Sequence, residues 1–153
     1  MRSPIRIRST VPGETRVRGL IDTNILIQLA ALDPSQLPDE MVICAVTLAE
    51  LSAGPHHTDD PAEKARRTSV LQHAEAAFDP LPFDAEAARA FGLVSAAVLN
   101  AGRHPRRRLA DLMIASVAIV GRVPLYTTNP SDFQGLSQLL TVHSVDRPSL
   151  SSG

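Results

Sequence analysis

Residues 17–32 read VRGLIDTNILIQLAAL, and this stretch decides the fold. Val17–Ile21 is a short, apolar-leaning strand, and Asp22-Thr23-Asn24 then opens a run, Ile25–Leu32, with helical character. A strand that passes straight into a helix is one βα unit. The pattern recurs along the chain. Met41–Ala45 is a second apolar strand, followed by Thr47-Leu48-Ala49-Glu50, whose spacing is that of a capping box, before a short helix that Gly54-Pro55 ends. Asp60-Pro61-Ala62-Glu63 places a cap, a first-turn proline and an acidic third residue at the head of a helix running to about Ala77. A brief third strand is expected near Phe78–Leu81. Asp84 caps the next helix, whose stripe of Ala87, Phe91, Val94 and Val98 has helical spacing and which Gly102 closes. After a basic loop come an apolar helix over Leu109–Val120, ending at Gly121, a fourth strand over Pro124–Thr127 and a fifth over Leu140–Val145. Strands and helices alternating in this order predict an α/β domain with a parallel, five-stranded sheet covered on both faces.

Composition sets the outer bounds. The 153 residues match one domain, and neither an internal repeat nor a Gly/Ser linker divides them. Apolar residues make up 44% and charged residues 20%, the range of a globular chain. Cys44 is the only cysteine, which excludes an intramolecular disulfide and a thiolate zinc site. The opening MRSPIRIRST lacks the apolar core of a signal peptide, and Leu112–Val120 is far short of the ~20 residues of a membrane span. A cytoplasmic protein with no membrane segment is therefore expected. The net charge of −1 gives no global basicity to draw nucleic acid. No P-loop or dinucleotide-binding glycine pattern occurs, and one tyrosine with four phenylalanines makes a poor stacking platform for bases.

The chemistry rests on four acidic residues. Asp22 directly follows the first strand and Asp132 lies shortly after the fourth, at the carboxyl ends where open α/β sheets bind ligands. Glu50 falls in the first turn after the second strand, and Asp111 in the first turn of the last helix. Each has a plainer reading. Asp22 can cap its helix, Glu50 can back-bond in a capping box with Thr47, Asp111 can complement a helix dipole, and Asp132 can be a turn residue after Asn129-Pro130. Together they share a position, since each follows an apolar strand or leads an apolar helix that must be buried with the others. Asp111 runs straight into Leu112-Met113-Ile114-Ala115, an unusual place for an acid. Four carboxylates in one crevice suit a hard cation, because Mg²⁺ prefers oxygen ligands and is held by a few carboxylates plus water and phosphate oxygens. Two bare charges ~5 Å apart would repel by about 3 kcal/mol at an effective dielectric of ~20, and a cation removes that cost.

Leu20-Ile21-Asp22-Thr23-Asn24, Ala49-Glu50-Leu51, Asp111-Leu112-Met113-Ile114-Ala115 and Thr128-Asn129-Pro130-Ser131-Asp132-Phe133, in this order and spacing, resemble PIN domains, and most closely the VapC-type toxins of type II toxin–antitoxin pairs. The resemblance runs from about residue 18 to 145, with residues 17–147 read as the domain, 1–16 as an N-terminal extension and 148–153 as a tail. It implies a three-layer α/β/α fold, endoribonuclease activity dependent on Mg²⁺ or Mn²⁺, a homodimer, and neutralisation by a cognate antitoxin. It carries metal binding, direct or through water, onto Asp22, Glu50, Asp111 and Asp132, and an orienting role onto Thr128 and Asn129, with Asn24 as a further candidate. The extension departs from the family, whose members usually begin close to the first strand.

Arg103, Arg106, Arg107 and Arg108 sit just ahead of Asp111, as either a solvated connection or a phosphate contact beside the cut site; Arg2, Arg6 and Arg8 pose the same choice. His56-His57 lacks a third ligand nearby, and Cys44 reads as a small core residue. Two other functions fit the same residues. A PIN nuclease of RNA maturation shares the chemistry and differs in partner. A non-catalytic signalling module with an acidic pocket would need a placed lysine, and the sole lysine, Lys64, lies beside Arg66-Arg67 on a polar helix face.

Overall fold

The structure is a computed structural model that describes residues 16–149. Arg2, Arg6, Arg8 and nearly all of the expected N-terminal extension, with the last residues of the tail, lie outside the described residues. Along the chain run β1 (Arg18–Ile21), α1 (Thr23–Ile27), β2 (Glu40–Val42), α2 (Ala45–Ala53), α3 (Pro61–Ala77), α4 (Ala85–Asn100), α5 (Leu109–Gly121), β3 (Leu125–Thr127) and β4 (Val142–Ser144), linked in part by short 3₁₀ turns.

Every strand pairing is parallel, in the order β2-β1-β3-β4. Parallel neighbours need crossover connections; helices supply most of them and cover both faces of the sheet, while β3 passes to β4 through a loop with one 3₁₀ turn. Successive strand side chains point to opposite faces. Leu20, Val42 and Leu125 therefore enter one core, with Val94 and Val98 of α4 and Leu112, Ile114 and Ala115 of α5. Ile21, Met41 and Tyr126 enter the other, with Ile25 of α1, Leu51 of α2 and Ala74 of α3. The result is a three-layer α/β/α arrangement. Helix α5 buries Leu112 and the whole run from Ile114 to Ala118, so it is an interior helix, apolar nearly all round. No helix among the described residues is long and apolar enough to cross a membrane.

Three local expectations are corrected. Among the described residues the sheet has four strands rather than the five expected, because Phe78–Leu81 contributes only a single bridge between Leu81 and Cys44. Leu81 N–H donates to Ile43 O at 2.9 Å and Ala45 N–H donates to Leu81 O at 2.8 Å. The residues on either side of Leu81 make no further ladder bond to this strand. The first helix is five residues long and gives way to a 3₁₀ turn over Leu29–Ala31. Pro34 holds Asp33 extended and stops helical continuation there. Finally, α2 starts at Ala45 with Cys44 as its cap, so Thr47 lies inside the helix, fully buried, and the Thr47/Glu50 capping box does not form.

Candidate metal centre

From β1 the chain crosses to β2 on one side, then returns to place β3 on the other side of β1. The carboxyl ends of β1 and β3 therefore flank the point where strand order reverses, the place where doubly wound sheets open a crevice. Asp22 stands at the end of β1, its N–H donating to Tyr126 O at 3.2 Å. Its carboxylate is almost wholly buried. One oxygen, Oδ1, accepts from Ile25 N–H at 3.0 Å and caps α1; the other, Oδ2, accepts from the Thr127 hydroxyl at 2.5 Å. Capping and site membership are thus both true of Asp22. Burial is the largest influence on its carboxyl and raises its pKa above the usual value, and the charge of Glu50 adds to this. The Thr127 hydroxyl and the Ile25 and Asn24 N–H groups act against them.

Glu50 reaches the same cleft from α2. Freed from the capping box, its Oε1 accepts from the Thr23 hydroxyl at 2.6 Å, which itself lies 3.1 Å from Thr47 Oγ1. Asp111, one turn into α5, is the third acid. Burial above all, then the charges of Glu50 and Asp22, push its carboxyl up to about 6, with Arg108 pulling the other way. Asp22, Glu50 and Asp111 thus line one cleft of about 460 Å³, joined by Asn24.

Asp132 is not in that cleft. It sits in the 3₁₀ turn Pro130–Phe133, is ion-paired with Arg108, and lines a neighbouring cleft with Arg103 and Gln134. Thr128 is buried, but the hydroxyl that orients Asp22 belongs to Thr127, the last residue of β3. Thr127 Oγ1 also accepts from Asn129 N–H at 3.0 Å, while the Asn129 side chain accepts from Arg147. Of the loop arginines, Arg103 donates to Ser131 O at 2.5 Å and to Gln134 Oε1 at 3.1 Å, and Arg108 is taken by Asp132. Arg106 is exposed beside a separate groove with Phe91 and Leu109. His56 and His57 are exposed in the turn after α2, and Cys44 is buried, its thiol pushed up by that burial.

Sequence reading missed Thr127, Thr23 and Arg147. Thr127 carried a usable signal, since the last residue of β3 stands beside the residue after β1 in a parallel pair. It also missed Arg66 and Arg67 of α3, which line the acidic cleft.

Three carboxyls that line one cleft and raise one another's affinity for positive charge are hard oxygen donors, the type a divalent cation prefers. Asp22 keeps lone pairs free on both oxygens, and Asp111 accepts no hydrogen bond from the described residues. Among the described residues, no three or more His, Cys, Asp or Glu side chains stand close enough together to hold a metal ion as a group. An open carboxylate set of this kind suits Mg²⁺, which keeps several of its waters.

The model of the PIN domain matches residues 19–137. Ribonuclease VapC5 of Mycobacterium tuberculosis is 31% identical over 134 residues, which cover 86% of this chain and 96% of that one. The crystal structure of VapBC-5, a member of the VapBC family of toxin-antitoxin systems from the same organism, superposes with a TM-score of 0.71 at 31% identity over 86% of this chain and 99% of that chain. VapBC2 from Rickettsia felis, bound to a DNA fragment from its promoter, shares the fold with a TM-score of 0.64 at 20% identity, covering 85% of this chain and all of that one. With a family model spanning most of its length, and a relative of this identity matched almost end to end, the chain belongs to the PIN-domain family.

Proposed function

We propose that this PIN domain is a metal-dependent endoribonuclease toxin that hydrolyses RNA phosphodiester bonds, acts as a homodimer and is neutralised by a cognate antitoxin. One observation carries the reading: Asp22, Glu50 and Asp111, far apart in sequence, share one cleft at the sheet's switch point, with Asp111 pushed up to about 6 by burial and by the other two. A ribonuclease and a toxin–antitoxin system, each 31% identical to this chain, support it.

Asp22, Glu50 and Asp111 would hold Mg²⁺ or Mn²⁺, with Asp132 as a further ligand once parted from Arg108. A divalent cation there makes water a better nucleophile at neutral pH and offsets the charge that builds on the phosphate. The chain's own groups prepare the site. The Thr127 hydroxyl and Ile25 N–H fix both oxygens of Asp22, and the Thr23 hydroxyl fixes Glu50. Burial and the neighbouring charges that push the Asp111 carboxyl up make a bound cation the natural counter-charge there. The antitoxin's role follows from the same surplus of negative charge, which an Arg or Lys from a partner would neutralise.

The test is incubation of purified protein with total RNA, with and without Mg²⁺ or Mn²⁺, followed by mapping of the ends. Wild type should cut only with metal, and Asp22→Asn should not cut. Metal-independent cutting, or full cutting by the variant, would overturn the proposal. Isolation from the native operon with no protein bound would remove the antitoxin from it.

A further inference from the structure

Resting on the ribonuclease reading, we infer that Arg66 and Arg67 of α3 form the phosphate-binding wall of the RNA cleft that the carboxylates also line. The cleft is lined by Asp22, Glu50 and Asp111 and, from α3, by Arg66, Arg67 and Glu63. The arginines do not pair with Asp22, Glu50 or Asp111. Both turn to Glu63, about one turn back along their own helix: Arg67 Nε donates to Glu63 Oε1 at 2.8 Å, and Arg66 donates to Oε2. Arg67 also donates to Gly54 O at 2.9 Å. Two guanidiniums on one carboxylate leave one positive charge in surplus. The Arg66 side chain is 72% exposed while being tethered, so its donors are pre-positioned and open to a ligand.

The basic loop before Asp111 is worse placed. Arg103 and Arg108 are spent on Ser131, Gln134 and Asp132 and line a different cleft. A ligand filling the cleft must offer negative charge to the α3 arginines and must tolerate the carboxylates that share the lining. A phosphodiester strand satisfies both: one phosphate meets the cation held by the acids while a flanking phosphate meets Arg66 and Arg67. Ile27, Leu51 and Val70 line the space between and can pack against a base. An acidic peptide would suit the arginine wall only and be repelled by the carboxylates.

The test is the fluorescence anisotropy of a labelled single-stranded RNA, its integrity checked on a gel, titrated with protein in Ca²⁺ at several salt concentrations. Arg66→Ala should weaken binding several-fold and flatten the slope of log affinity against log salt by about 0.7, the value for one lost contact to a single strand. Glu63→Gln releases both guanidiniums and should tighten binding and steepen the slope. Arg67→Ala is read beside its melting temperature, because Arg67 also holds Gly54. The Mn²⁺-induced rise in melting temperature should be the same in Arg66→Ala as in wild type. Unchanged affinity and slope in Arg66→Ala, or weakening by Glu63→Gln, would overturn the inference while leaving metal-dependent cleavage by the wild type to stand. A polyglutamate peptide that binds through Arg66 where RNA does not would overturn it in favour of a protein ligand. Failure of the wild type both to bind and to cut RNA would remove the nuclease reading along with it.

Discussion

Asp111→Asn removes one charge from the acid set at constant shape, and Asp111 is the cleanest position for it, since Asp22 also caps α1. The carboxyl of Asp111 stands at about 6 against an ordinary 3.8. Between those values the native state keeps a proton that the unfolded chain has released. Stability therefore falls as pH rises from about 4 to about 6, and stays lower above that. The gap sets a ceiling of about 3 kcal/mol. Asp111 is only half-buried, and solvent screening brings the figure to about 1–2 kcal/mol. At pH 7.5, without metal, Asp111→Asn should therefore be more stable than wild type by that amount. This corresponds to a rise in Tm of about 2–8 °C, at roughly 2–4 °C per kcal/mol for a chain of this size. At pH 4, where Asp111 is protonated, the two should melt together. Adding Mn²⁺ at ~100 times its Kd should reverse the order, because wild type gains about 2.7 kcal/mol from a ligand that binds only the folded state and the variant gains less. Melting followed by circular dichroism from pH 4 to 8, with and without Mn²⁺, measures all three. If the variant is no more stable than wild type at pH 7.5, or its advantage does not change with pH, the repulsion argument is wrong.

Three further outcomes are expected. Thr127→Val keeps the shape of a fully buried side chain but leaves Asp22 Oδ2 and Asn129 N–H without their partner, and should cost about 1–3 kcal/mol in urea unfolding and weaken Mn²⁺ binding in a thermal-shift titration. Gly19→Ala places a Cβ 2.4 Å from Cε1 of Tyr126 and 3.0 Å from Pro38 Cβ, and should destabilise by about 1–3 kcal/mol, with the near-ultraviolet dichroism of the sole tyrosine reporting the displaced ring. Asp84→Ala removes the carboxylate that accepts from Ala87 N–H at 3.0 Å at the head of α4; about 1 kcal/mol should be lost on melting, with Mn²⁺ affinity unchanged because the residue is remote from the acidic cleft.

What could be read from the sequence is what depends on near neighbours. The order of strands and helices followed from apolar period and caps, and Asp60 and Asp84 cap α3 and α4 as their spacing requires. Asp22, Glu50 and Asp111 stood out as acids beside apolar segments, and burying those segments together brings their charges into one cleft. The tertiary structure decided the rest, because the remaining choices turn on partners distant in the chain. Whether Glu50 caps its own helix or faces the cleft depended on where α2 begins and on Thr23, 27 residues away. Which threonine steadies Asp22 depended on the β1–β3 register across 105 residues. Asp132 pairs with Arg108, 24 residues away in sequence, and lines a different cleft from the other acids. Phe78–Leu81 had the apolar look of a strand, yet only pairing can make one, and here a single residue, Leu81, pairs with Cys44. Local pattern fixes which elements form and which faces they bury; only packing decides which side chains meet across them.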